Sequence, residues 1–196
     1  MILASQSPRR IQLMREAGFD PRVIPARIDE APLPGEGAGE LVERLAREKA
    51  HAVAREHAQT GEAVLAADTV VCVDERVLGK PQDPEDARRM LRSLSGRAHQ
   101  VKTGVCLGAA ADAGTLDPAL TRTFVASTNV EFFELDDEEI SSYVQSGEPM
   151  DKAGAYGIQG QGGRLLVKGI DGDFYNVMGL PIARIVRALR TLPHTC

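Results

Sequence analysis

The chain has 196 residues, of which 43% are hydrophobic and 26% charged, with a formal net charge of −5. These proportions belong to a globular protein and exclude a disordered, collagen-like or low-complexity scaffold. The acidic balance excludes a non-specific nucleic-acid surface, so a polyanionic substrate would need local basic groups.

The length suits one domain over 1–196, built as two lobes. The N-terminus enters a strand-like run, Ile2-Leu3-Ala4-Ser5, with no basic region, apolar region and small-residue cleavage site, so a cytoplasmic location is expected. Ser7-Pro8 reads as a helix start, Ser at the N-cap and Pro at the first helical position. Ile11, Met14 and Ala17 hold helical spacing until Gly18. Arg9 and Arg10 fall in the first turn of that helix, the end where free N–H groups already attract anions and where a basic side chain opposes the dipole. The pattern reads either as a phosphate site or as a solvated basic turn.

Leu33 to Gly39 reads as a flexible connection, followed by a helix whose apolar face carries Leu41, Leu45, Ala46, Lys49, Ala50 and Val53 and which ends near His57. Lys49 on that face reads as a snorkelling side chain or as a ligand to something anionic. Ala63 to Asp74 is a β-branched apolar run, expected to be a buried central strand. It falls well short of the roughly 20 apolar residues that span a bilayer, so no membrane segment is expected. Asp68 sits in its middle, where an isolated carboxylate costs several kcal/mol unless a cation or hydrogen-bond donors compensate it. A metal, a catalytic lysine or a structural ion pair would each do so.

A turn is expected at Asp74-Glu75-Arg76, then Leu78-Gly79-Lys80-Pro81. Asp83-Pro84-Glu85-Asp86 opens a helix through Met90, Leu91 and Leu94 to Gly96. Strands are expected at His99 to Leu107 and Thr121 to Glu134, with a hairpin loop over Gly108 to Pro118. Asp136 and Glu139 open a helix to Gln145, Arg164 to Ile170 reads as a strand, and Tyr175 to Leu192 reads as a closing helix disturbed by Gly179 and Pro181. The glycine-rich Asp151 to Gly163 has neither P-loop nor dinucleotide-fingerprint order and reads equally as a ligand-wrapping loop or a connection. Cys72, Cys106 and Cys196 form no C-x-x-C pair, and His51, His57, His99 and His194 show no ligand spacing, so zinc and a disulfide framework are not expected. Strands alternating with helices around a hairpin imply an α/β domain with a mixed sheet.

Taken together, Leu3-Ala4-Ser5-Gln6-Ser7-Pro8-Arg9-Arg10, Ile28-Asp29-Glu30, Ala67-Asp68-Thr69-Val70-Val71, Leu78-Gly79-Lys80-Pro81, Asp151 through Gly160 and Asn176-Val177-Met178-Gly179-Leu180-Pro181 resemble the Maf family, in family order across nearly the whole chain. The glycine-rich segment resembles the UTP/dTTP pyrophosphatase branch rather than the branch acting on 7-methyl-GTP. The resemblance implies a mixed twisted sheet flanked by helices, two lobes around a deep cleft, similar to inosine-triphosphate pyrophosphatases, and often a homodimer. It implies hydrolysis of UTP and dTTP to the monophosphate and pyrophosphate with Mg²⁺ or Mn²⁺, in nucleotide-pool cleansing or division arrest. A regulatory protein that uses nucleotide only as a signal is the competing reading.

Residue by residue, the resemblance makes Asp68 the proton acceptor and gives base preference to Arg10, Thr69 and Gln159. It makes Ser7, Arg9, Glu30, Lys49 and Lys80 further active-site positions, of which Ser7, Arg9, Lys49 and Lys80 are expected to bind the phosphates. Glu30 and Asp68 are the expected metal ligands, so Asp68 has two candidate roles. The Gln159 amide both donates and accepts, which matches the N–H and carbonyl edge of uracil or thymine.

Overall fold

The computed structural model of the chain describes residues 1–74, 76–111 and 114–192. Glu75 of the expected turn, Asp112 and Ala113 of the expected loop, His194 and Cys196 lie outside the described residues. Strands β1 (Ile2–Leu3), β2 (Arg22–Val23), β3 (Ala63–Val73), β4 (Arg76–Leu78), β5 (Ala98–Ala109), β6 (Arg122–Phe132) and β7 (Val167–Asp171) form one sheet in the order β2-β1-β3-β5-β6-β7, with β4 paired to β3. Pairing of β1 with β2 and β3 is parallel, whereas β3 with β4 and β6 with β7 are antiparallel. The sheet is therefore mixed and flanked by helices, as expected.

The helices are α1 (Pro8–Glu16), α2 (Ala38–His57), α3 (Pro84–Leu94), α4 (Asp137–Gln145), α5 (Gly163–Leu166), α6 (Phe174–Met178) and α7 (Ile182–Leu189). Their starts follow local chemistry. Asp83 accepts from Asp86 N at 2.7 Å at the head of α3, and Asp136 with Glu139 forms a reciprocal capping box on α4, satisfying N–H groups that a helix leaves without partners. Ser7 is the N-cap of α1, but its side chain makes no capping bond.

Several expected boundaries are corrected. Ala38 and Gly39 belong to α2, not to the connection before it. Arg76–Leu78 forms β4, a strand the turn reading missed. Gly108 and Ala109 extend β5, Ala110 bridges to Leu116, and Pro118–Leu120 is a 3-10 turn, so the expected loop is largely structured among its described residues. Arg164 to Leu166 is helical rather than strand. The closing helix is two, α6 and α7, separated at Gly179, whose φ of 109° no side-chain-bearing residue adopts without strain.

The chain divides into two compact units, each discontinuous in sequence: Met1–Asp68, Thr103–Ala126 and Gly179–Cys196 in the first, Thr69–Lys102 and Ser127–Met178 in the second. The first unit buries Ile2, Val64, Ala66 and Cys106 against Ala46, Ala50 and Val53 of α2. The second buries Val71, Val101, Val130 and Phe132 against Leu91 and Leu94 of α3 and Ile140 and Tyr143 of α4. Cys72 and Cys106 are buried small hydrophobes, and burial raises both thiols above their ordinary range. Among the described residues no helix is long and apolar enough to cross a membrane.

Candidate active site

The first unit gathers most of the charged residues singled out in the sequence. Asp68 lies where β3 is buried on every side and is only 8% exposed. Lys49 projects from the buried face of α2, also 8% exposed, so it does not snorkel. Its Nζ donates to Asp68 Oδ1 at 2.7 Å and lies 2.9 Å from Glu30 Oε1. The cation that compensates the buried carboxylate is therefore a lysine 19 residues away in the chain, and that same lysine holds a second carboxylate, Glu30, whose side chain is 57% exposed. The cluster thus has a buried end at Asp68 and a solvent-facing end at Glu30.

Arg10 fastens the backbone beside this cluster. Its Nε donates to the Gly179 carbonyl at 2.8 Å, and its Nη1 to the Ala67 carbonyl at 2.7 Å and to Ser5 Oγ at 3.4 Å. Three guanidinium bonds thus tie α1 to the peptide that precedes Asp68, to the break between α6 and α7 and to Ser5. Burial pulls the guanidinium below its usual range while the nearby Asp68 charge opposes the shift. Ser5, 8% exposed, also accepts from Ser7 N at 3.1 Å, holding the entry to α1. The sequence pointed to Arg10 but not to Ser5 or to the two carbonyls. Main-chain acceptors carry no residue signature, so only the fold could locate them.

The remaining singled-out residues lie in the second unit. Thr69 is half-buried on β3 and Lys80 is exposed just after β4; the carbonyl of Gly79 accepts from Gly154 N at 3.0 Å, linking the Lys80 segment to the glycine-rich segment. Gln159 is half-buried, yet its Oε1 is fully buried and has no hydrogen-bond partner among the described residues. Among the described residues no group of three or more His, Cys, Asp or Glu is placed to hold a metal ion.

A family model described as Maf-like protein matches residues 1–192. The chain is 50% identical over 194 residues to the dTTP/UTP pyrophosphatase of Anaeromyxobacter sp. (strain Fw109-5), covering 99% of this chain and 90% of that relative. It is 49% identical over 190 residues to the dTTP/UTP pyrophosphatase of Koribacter versatilis (strain Ellin345), covering 97% and 93%. A solved nucleoside-triphosphatase, dITP/XTP pyrophosphatase, from Mycobacterium abscessus aligns over 96% of this chain and 92% of its own at 13% identity and a TM-score of 0.42, a likeness too remote to argue from.

Proposed function

This chain belongs to the Maf-like protein family, and on that premise we propose that it is a nucleoside-triphosphate pyrophosphatase hydrolysing dTTP and UTP to the monophosphate and pyrophosphate. Relatives that share about half its residues over nearly its full length carry that name. The structural observation that carries the reading is the Lys49 ammonium held between Asp68 at 2.7 Å and Glu30 at 2.9 Å. A structural ion pair needs only one carboxylate. The second, solvent-facing one makes the cluster a place where a charged substrate and water can meet a buried acid.

In this reading Lys49, donating to Oδ1, fixes the orientation of the Asp68 carboxylate, and Asp68 accepts a proton from the attacking water. The water oxygen bonds to the α-phosphorus, the α–β P–O bond breaks, and pyrophosphate leaves with the bonding electron pair. Arg9 and Ser7 at the head of α1, together with Lys80, bind phosphate oxygens, where positive charge stabilises the charge that moves onto the leaving group. Arg10 acts through the Ala67 carbonyl, holding the peptide beside Asp68. Thr69 and Gln159 set base preference, the Gln159 amide donating to and accepting from the N–H and carbonyl edge of uracil or thymine.

The donor set also fits Mg²⁺ or Mn²⁺. Such hard cations bind proteins through one or two carboxylates and fill the rest of their shell with substrate phosphates and water; Glu30 and Asp68 would hold one. Bound there, it would neutralise phosphate charge and acidify a water molecule. With nucleoside triphosphates as substrates, the enzyme works in the cytoplasm.

The test is pyrophosphate release from UTP, dTTP, CTP, ATP and GTP, with Mg²⁺, Mn²⁺ or a chelator, by the wild type and Asp68→Asn. The expected result is metal-dependent release from UTP and dTTP, reduced about 10²- to 10⁴-fold in the variant. A variant as fast as the wild type would remove Asp68 from the chemistry, and no release from any nucleotide would overturn the enzymatic reading.

A further inference from the structure

Gln159 sits in a turn that the structure holds at both ends, and the two side chains that clamp it, Glu148 and Tyr143, lie outside every motif that pointed to function. The turn is closed by Gly160 N donating to the Gly157 carbonyl at 2.9 Å. On its C-terminal side the Glu148 carboxylate accepts from Gly162 N at 3.0 Å through Oε2 and from Gly163 N at 3.2 Å through Oε1. On its N-terminal side Gly157 N donates to the Tyr143 hydroxyl at 3.3 Å, and that hydroxyl donates in turn to Glu148 Oε1 at 3.0 Å. One carboxylate and one phenol therefore join both ends of the short 157–163 segment.

The glycines follow from this arrangement. A Cβ at Gly160 would overlap the Glu148 carboxylate, one at Gly162 would strike the Tyr143 ring, and one at Gly163 would strike the Gly157 carbonyl and the Tyr143 hydroxyl. Glycine is required at these positions for close approach to Glu148 and Tyr143. Burial by itself would raise the Glu148 carboxyl, but the two glycine N–H groups, Tyr143 and Lys152 together hold it below its usual range, so it is an anion with donors on both oxygens. Lys152 closes the ring from the other side, its ammonium donating to the Glu148 carbonyl and to Asp151.

We propose that Glu148 and Tyr143 are positioning residues for base recognition: by clamping the 157–163 turn they fix the orientation in which the Gln159 amide meets a pyrimidine edge. The proposal rests on the reading that Gln159 selects the base. A hydrogen bond to a base edge discriminates only when the acceptor is held within a few tenths of an ångström, because a mobile amide accommodates the wrong edge as well as the right one. Neither residue is assigned to the reacting phosphates, so their loss acts on selectivity before it acts on turnover.

The experiment measures kcat and KM of Tyr143→Phe, Glu148→Gln and Gln159→Ala for UTP, dTTP and CTP. Tyr143→Phe keeps the buried ring and removes only the hydroxyl, so it carries the test even if Glu148→Gln folds poorly. The expected result is a rise in KM for UTP and dTTP of about tenfold, kcat changed less, and a UTP-over-CTP preference that falls by a similar factor. Gln159→Ala is expected to lower the same ratio, and amide exchange at Gly157 and Gly162 to quicken in Tyr143→Phe. An unchanged ratio in Tyr143→Phe and in folded Glu148→Gln, with Gln159→Ala lowering it, would overturn the clamp and leave the base reading standing. An unchanged ratio in Gln159→Ala would overturn the base reading itself, and the positioning role of Glu148 and Tyr143 with it.

Discussion

Lys49 shows how one side chain changes meaning between sequence and structure. On the helix pattern it is a basic residue on an apolar face, and either solvent or an anion could claim it. The fold gives it two carboxylates within 3 Å, at 2.7 and 2.9 Å. The two pairings are not equivalent, because Asp68 is buried and Glu30 is largely exposed. Lys49→Met would leave Asp68 as a buried charge without its cation, a change that typically costs about 3–5 kcal/mol. We expect a loss near the lower end of that range in urea unfolding, and recovery of most of it in the double variant Lys49→Met with Asp68→Asn. If the double variant were as unstable as Lys49→Met alone, Asp68 would not be the group that Lys49 compensates. Asp68→Asn alone should be milder, because Lys49 keeps Glu30.

At the scale of elements, the features set by local chemistry match the sequence reading. Helices α3 and α4 begin at Asp83 and Asp136 because each carboxylate caps an N–H group three residues on, chemistry contained within a single turn of chain. The failures fall where short segments depend on distant partners. Arg164 to Leu166 is apolar enough for a strand, but Leu165 N donating to the Gly162 carbonyl at 2.9 Å, beside the glycines clamped by Glu148, makes it a helical turn. Strand β4 escaped notice because three residues carry too little periodicity to read. Gly104 in β5 records a long-range constraint of the same kind. A Cβ there would overlap the Val42 carbonyl of α2 and come within 2.7 Å of Glu43 N. Backbone cannot yield as a flexible side chain can, so Gly104→Ala should destabilise the chain by about 3 kcal/mol or more, as overpacking at its upper range does. Thermal unfolding checks this, and an unchanged midpoint would mean that α2 and β5 separate without cost.

For the whole molecule, the pH dependence of stability should carry the mark of one buried imidazole. His99 is 3% exposed, packs edge-on against Phe132 and Tyr156, and shares a 2.8 Å hydrogen bond between its Nε2 and the Tyr156 hydroxyl. Burial pulls it down from 6.5 to about 4. The unfolded chain therefore binds this proton near pH 6.5 and the folded chain only near 4, so in that window the unfolded state holds more protons and stability falls as pH is lowered. Below about 4 both states are protonated and the loss, on the order of 3 kcal/mol, is complete. Urea unfolding between pH 7 and 4 should show this slope in the wild type and a shallower one in His99→Phe; equal slopes would assign the acid sensitivity to the carboxylates instead. The alternation of strands and helices, the helix starts and the buried acid in β3 are legible in the chain alone, because periodicity, capping and the cost of burying a charge are local properties, and the motifs at Ser7 to Arg10, Asp68-Thr69 and Asp151 to Gly160 are legible through their resemblance to the Maf family. Packing in three dimensions was needed to make Lys49 the cation on Asp68, to set Arg10 on the Ala67 and Gly179 carbonyls, and to close Glu148 and Tyr143 around the turn that carries Gln159. Those contacts join residues that the sheet and helices bring together, and side-chain partners and main-chain acceptors many residues away leave no pattern in the chain that approaches them.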